Sequence, residues 1–274
     1  MSSLVVNTNL SALQAINDLN ATDNSMTSAI KKLSSGLQIQ TAATGPAQYV
    51  ISQALQSQSS GYNTAIQNAQ DGVSLIQTAS GALGQISSIL QTMDQLALTS
   101  ANGATQTTTS YKANQSEFSA LKKDITEIAN TTTFGKTQLL TGTFSGTLQV
   151  GAFDNTNQQI GLSIKAVTTT QLGIKTTAIT TETKAATAVS AVQAAMAKVD
   201  SVASTVGAIQ NELQAIVANL TVGQQNLQAA NSQLVDVNMA QQMTTFSTDQ
   251  ILMQTGVSML AQAQLAPSLV LKLI

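Results

Sequence analysis

The sequence predicts a mainly α-helical protein: long, coiled-coil-like helices reaching in from both termini, and a helical middle that carries one small β-hairpin. Three observations predict this. Val192, Val199, Val206, Leu213, Leu220, Leu227 and Leu234 recur every seven residues, the spacing of a stripe buried along partner helices. A second such stripe runs through Leu55, Tyr62, Ala69, Ile76, Leu83, Leu90 and Ala97. Only two prolines, Pro46 and Pro267, interrupt 274 residues.

Taken in order, Leu10, Leu13, Ile30, Leu33 and Leu37 give the first forty residues a weak helical period, which Gly45-Pro46 closes. The second stripe predicts a long helix from Pro46 to the breaker pair Asn102-Gly103. Asp71-Gly72 has the look of a turn, but it sits inside the unbroken stripe, so helix is expected there. Thr105 to Thr109 is a connector, and Phe118, Leu121, Ile125 and Ile128 mark a shorter amphipathic helix. Leu148 and Val150, then Ile160, Leu162 and Ile164, alternate with polar or small residues across a turn-rich link, as a hairpin does. The third long helix carries the 192–234 stripe, with Gly223 as its one weak rung. The stripe then changes phase through Met239, Met243, Phe246, Met253, Val257 and Leu260. Two helical segments are therefore expected, the second ending at Pro267.

Composition excludes most chemistry. The chain has no His, Cys or Trp, and its 11 basic residues are all lysine against 13 acids. Structural zinc, iron–sulfur, haem and thiol chemistry lack their Cys and His ligands, and no histidine-based nucleophile system can be built. Nucleic-acid binding lacks a basic patch. With 9% charged residues and 43% hydrophobic ones, the chain collapses rather than staying disordered. No apolar run is long enough to cross a membrane, and Met1 to Asn9 has no secretory signal.

The remaining clusters have ordinary readings. Asp124 and Glu127, beside Lys122 and Lys123, read as a solvated charged patch rather than a catalytic carboxylate pair. Asp154 to Asn157 resembles part of a calcium loop that no Glu completes. Gly142, Gly146 and Gly151 fit hairpin turns better than a phosphate loop. Met239, Met243, Met253 and Met259 read as a binding face or as core; both hold for a helix whose partner is exchanged. Thr105–Ser110 and Thr131–Thr133 read as polar loops or as sites for O-linked sugars. No cofactor is expected and no enzymatic activity; long sticky helices without catalytic equipment favour an assembly protein.

Several segments, in order, resemble bacterial flagellin. They are Val6-Asn7-Thr8-Asn9 and Leu33-Ser34-Ser35-Gly36-Leu37-Gln38-Ile39, where Gln38 replaces the family's arginine. Gln67 to Ala79, Thr133-Phe134-Gly135-Lys136, Gln250 to Ala263 and Pro267 to Leu271 follow. The resemblance spans roughly 4–140 and 185–274, and about 141–181 leaves no room for large variable outer domains. It implies a minimal flagellin that polymerises into the hollow filament used for swimming. A hook–filament junction protein, with similar terminal helices, is the alternative.

The resemblance also implies an organisation. An inner domain, 1–45 with 235–274, would line the filament channel. An outer domain, 46–234 with the hairpin at about 141–168, would form the wall. Leu10, Leu13, Leu33, Met243, Phe246, Met253, Val257 and Leu260 are expected to build the inner tube. Val199, Val206, Leu213 and Leu220 are expected to pack on Ile76, Leu83 and Leu90. Implied partners are further copies of the chain, an export chaperone on the C-terminal helix, the flagellar export apparatus, and the filament cap and hook-junction proteins. Neither nucleic acid nor membrane insertion is expected, and the implied location is secreted, extracellular, in the flagellum. Two departures stand out. Thr41 to Pro46 lacks the family's charged run, and Gln91, Thr92 and Leu96 occupy the stretch read by the vertebrate flagellin receptor. Activating members carry arginine at Thr92, so weak activation is expected, because threonine cannot offer a forked, charged donor.

Overall fold

The computed structural model describes residues 8–153 and 156–271. Among these described residues there are six α-helices: α1 (Leu10–Ser35), α2 (Pro46–Ala101), α3 (Thr108–Thr131), α4 (Thr169–Leu172), α5 (Glu182–Val235) and α6 (Met239–Leu271). Between α3 and α4 lie two antiparallel strand pairs. β1 (Thr133–Phe134) pairs with β2 (Thr137–Gln138), and β3 (Ser145–Gln149) pairs with β4 (Gln159–Ser163), from Ser145 opposite Ser163 to Gln149 opposite Gln159. Asp154 and Asn155, from the fragment read against a calcium loop, lie outside the described residues, as do Val6 and Asn7 of the first motif.

The chain divides into two compact units. One holds residues 1–57 and 226–274, the other residues 58–225. Both α2 and α5 pass from one unit into the other.

In the 58–225 unit, α2, α3, α5 and the hairpin close over one apolar cluster that contains Ile76, Leu83, Leu90, Phe118, Ile125, Leu162, Val199, Val206 and Leu213. The isolated hairpin is marginal, and its side chains are what hold it down. Asp71-Gly72 is helical, and its glycine has a packing reason. A Cβ at Gly72 would lie 2.6 Å from Leu148 of β3 and 3.2 Å from Leu213 of α5. Three elements thus meet where one side chain is missing. Gly223, the weak rung, does not interrupt α5; it opens a socket, where a Cβ would stand 2.8 Å from the Tyr62 ring.

Lys122 corrects the charged-patch reading. Lys123, Asp124 and Glu127 are exposed, but Lys122 leaves them. Its Nζ donates to the carbonyls of Thr177 (2.7 Å) and Lys175 (3.3 Å) and stands 5.5 Å from the centroid of the Phe118 ring. Burial there lowers its pKa below 10.5. Gln115 Oε1 accepts the Ile179 N–H at 2.6 Å. These two α3 side chains hold the irregular 174–179 segment in place, with Ile174 and Ile179 buried beneath it.

In the other unit, α1 and α6 run antiparallel. Asn9 meets Ala263, Leu19 faces Gly256, and Leu37 bridges to Asp236. The Leu33-Ser34-Ser35-Gly36-Leu37 stretch is the stop signal of α1. Gly36 adopts φ 73° and returns its N–H to the Lys32 carbonyl, a left-handed C-cap that glycine adopts without strain. Past it, Gln38 N–H donates to Val235 O (2.6 Å) and Val237 N–H to Gly36 O (2.9 Å). The α5–α6 break is thereby pinned to the end of α1. Ser52 Oγ bonds Asn231 Oδ1 at 2.8 Å, joining the start of α2 to the end of α5.

One expectation fails. Pro267 does not end the last helix, which continues to Leu271. Proline has no N–H to give the carbonyl four residues back, that of Ala263. Asn9 Nδ2 donates to that carbonyl instead, at 2.7 Å, while Asn9 Oδ1 accepts the Ala12 N–H at 3.0 Å and caps α1. A single side chain therefore starts the first helix and fills the gap that would weaken the last.

Candidate assembly surface

The α1–α6 pair has two kinds of apolar surface. Its seam is narrow and rich in small residues. On α1 the covered positions are Ala12, Ala15, Leu19, Thr22, Met26, Ala29 and Leu33, and on α6 Phe246, Asp249, Met253, Gly256, Leu260 and Ala263. Both follow alternating steps of three and four, the coiled-coil spacing. Gly256 lets the helices approach, since a Cβ there would stand 2.6 Å from Leu19 Cδ1. Asp249 interrupts the seam with a buried Oδ2 that has no hydrogen-bond partner.

The second surface faces outward. Leu10, Leu13, Ile16 and Ile30 of α1 are exposed, as are Met239, Met243, Ile251, Leu252, Val257, Met259 and Leu265 of α6. A groove of about 520 Å³ runs along the pair, lined by Gln14, Asp18, Leu19, Leu252, Thr255 and Met259 among others. So many large apolar side chains turned outward on two adjacent helices mark an interaction surface.

The inner-tube residues read from the sequence therefore split. Leu33, Phe246, Met253 and Leu260 lie in the seam, half-buried. Leu10 (71% exposed), Leu13, Met243 and Val257 stand on the outer surface. Among the outer-domain residues, Ile76, Leu83, Leu90, Val199, Val206 and Leu213 share the buried cluster. Leu220 is buried further along α5, outside that cluster. Gln91 and Thr92 are exposed on α2, and Leu96 packs partly against the core. Thr92 Oγ1 turns back to the Ser88 carbonyl at 3.1 Å. No group of three or more His, Cys, Asp or Glu side chains able to hold a metal ion occurs among the described residues.

Comparison with known proteins decides the family. A model of the bacterial flagellin N-terminal helical region matches residues 6–145, and one of the C-terminal helical region matches residues 189–274. The chain belongs to the bacterial flagellin family. A flagellin of Halalkalibacterium halodurans is 38% identical over 274 residues, covering 99% of this chain and 100% of that one. A Bacillus subtilis flagellin is 34% identical over 303 residues, covering 98% and 99%. The solved Bacillus cereus flagellin, 29% identical, superposes over 56% of this chain and 88% of its own with a TM-score of 0.50. A putative flagellar hook-associated protein from Vibrio parahaemolyticus shares the fold, with a TM-score of 0.59 at 12% identity over 70% of this chain and 100% of that one.

This flagellin is a structural protein, a subunit of the bacterial flagellar filament outside the cell, and not an enzyme. It is a short member, without a large variable domain: the stretch between the two family matches, 146–188, holds the rest of β3, then β4, α4 and the start of α5. No helix among the described residues is long and apolar enough to cross a membrane.

Proposed function

We propose that the α1–α6 pair is the part of this flagellin that lines the filament channel. The outward rows around Leu10, Leu13, Met243 and Val257 would be covered by the same helices of neighbouring subunits. Leu33, Phe246, Met253 and Leu260 would hold the pair itself together. The observation that carries this reading is the number of large apolar side chains exposed on α1 and α6, set against the closed core of the 58–225 unit. The inner domain, 1–45 with 235–274, then assembles, and the outer domain, 46–234, supplies the wall.

The same outward row fits an export chaperone on the C-terminal helix before secretion through the flagellar export apparatus. Filament cap and hook-junction proteins would meet the subunit at the filament's two ends. Nothing in the chain or its relatives favours a junction role over a filament role. Electron microscopy of the purified chain, with and without short filament seeds, tests the reading. Long hollow tubes are expected; monomers that persist under every condition would point to the junction role.

A further inference from the structure

We propose that α6 carries an oxidation site that switches assembly off: Met239, Met243 and Met259, whose thioethers a peroxide converts to sulfoxides. This rests on the reading of the α6 outer row as an assembly surface. The chain has no cysteine and eight methionines, so methionine is the sulfur available to oxidants. Four of them lie on α6, and the structure sorts the seven that fall among the described residues by access. Met239, Met243 and Met259 are 49%, 50% and 65% exposed. Met93 is fully buried in the 58–225 core, Met196 packs against that core, and Met26 and Met253 lie in the α1–α6 seam.

Met239 and Met243 are four apart and share one helix face. The chemistry is balanced by the oxidant alone. The sulfur lone pair attacks one peroxide oxygen and the O–O bond breaks. The sulfur, oxidised by two electrons, keeps that oxygen, and the other leaves as water. A flexible apolar side chain becomes a polar one with a strong acceptor. Buried against a neighbouring subunit's apolar row, that acceptor finds no donor. The unmodified thioether, in contrast, adapts to whatever surface covers it. A pair of sulfoxide reductases supplied with thiol, one for each sulfoxide epimer, reverses the change, so the switch is reversible.

The test uses the full chain. Free subunits are treated with dilute hydrogen peroxide, mapped by peptide mass spectrometry and offered to filament seeds. Each sample is compared with its own untreated control. Single-oxygen additions are expected at Met239, Met243 and Met259 before Met93. The free-subunit concentration left beside filaments is expected to rise roughly tenfold or more, and reductase treatment should restore it. In a chain with Met239→Leu, Met243→Leu and Met259→Leu, the ratio of treated to untreated should stay near one. Normal seeding by wild-type chains oxidised at all three positions would overturn the proposal. So would equal peroxide sensitivity in the leucine chain, or failure of the reductase pair to restore assembly of the wild type. If untreated chains do not add to seeds at all, the filament reading itself fails, and the switch falls with it.

Discussion

Asn9 has two roles in one side chain, and replacing it should cost more than a helix cap alone. Asn9→Ala removes the acceptor for the Ala12 N–H, a loss of about 1 kcal/mol. It also leaves the Ala263 carbonyl, which Pro267 cannot serve, without its donor. At a partly buried position that adds about 1 kcal/mol, the low end for an unsatisfied group. The sum, about 2 kcal/mol, corresponds to about thirtyfold in the equilibrium that closes the α1–α6 pair within the subunit. Helical content followed through denaturant melts measures this directly. The decisive arm is Pro267→Ala, which restores a backbone N–H for the Ala263 carbonyl. In that background Asn9→Ala should cost only the cap, so the pair should couple by about 1 kcal/mol. Asn9→Asp, which keeps the cap but has no donor, should fall between the wild type and Asn9→Ala. Equal costs of Asn9→Ala in both backgrounds would refute the shared role.

Four further outcomes are expected. Gly72→Val should drive its side chain into Leu148 and Leu213 and lower the stability of the 58–225 unit by about 1–3 kcal/mol, read as a lower thermal midpoint. Lys122→Met should change how stability depends on pH. Because burial lowers the folded-state pKa below 10.5, the unfolded chain binds more protons in the window beneath that value. Wild-type stability should therefore gain on the variant as pH rises through it, and denaturant melts at several pH values check the sign. Thr92→Arg, at an exposed position on α2, should raise the response of reporter cells carrying the vertebrate flagellin receptor. Finally, with only 9% charged residues, filaments should survive mild acidification, as light scattering would follow.

The long helices were legible because a seven-residue stripe has one reading over many turns. Ile76, Leu83 and Leu90, like Val199, Val206 and Leu213, announce a face that must be covered. The terminal helices were legible as helices but not as faces. Leu10 and Leu13 are large and apolar, while the α1 seam uses Ala12, Ala15 and Ala29. Size in the sequence does not say which partner a residue meets, and here the small residues meet the chain's own α6. The end of α6 is not legible locally: Pro267 is a stop signal, and the group that neutralises it, Asn9, is 254 residues from Ala263 in sequence. The same distance problem hid Lys122. Two adjacent lysines read as solvent-facing until the 174–179 carbonyls are folded over one of them. The short α4 and the β1–β2 turn have too few residues to show a period.

The pairing of the first helix with the last has a consequence for timing. As the chain is made, α1 emerges well before the segment it packs against exists. Closing a loop that spans almost the entire polypeptide is entropically slow, although its cost grows only with the logarithm of length. Residues 58–225 need no such wait, since their core is drawn from one uninterrupted stretch of chain. The subunit therefore has a built-in order of maturation: a sturdy middle early, joined ends late. A chain that has lost its last few dozen residues would have a finished body and an N-terminal helix with nothing to close against.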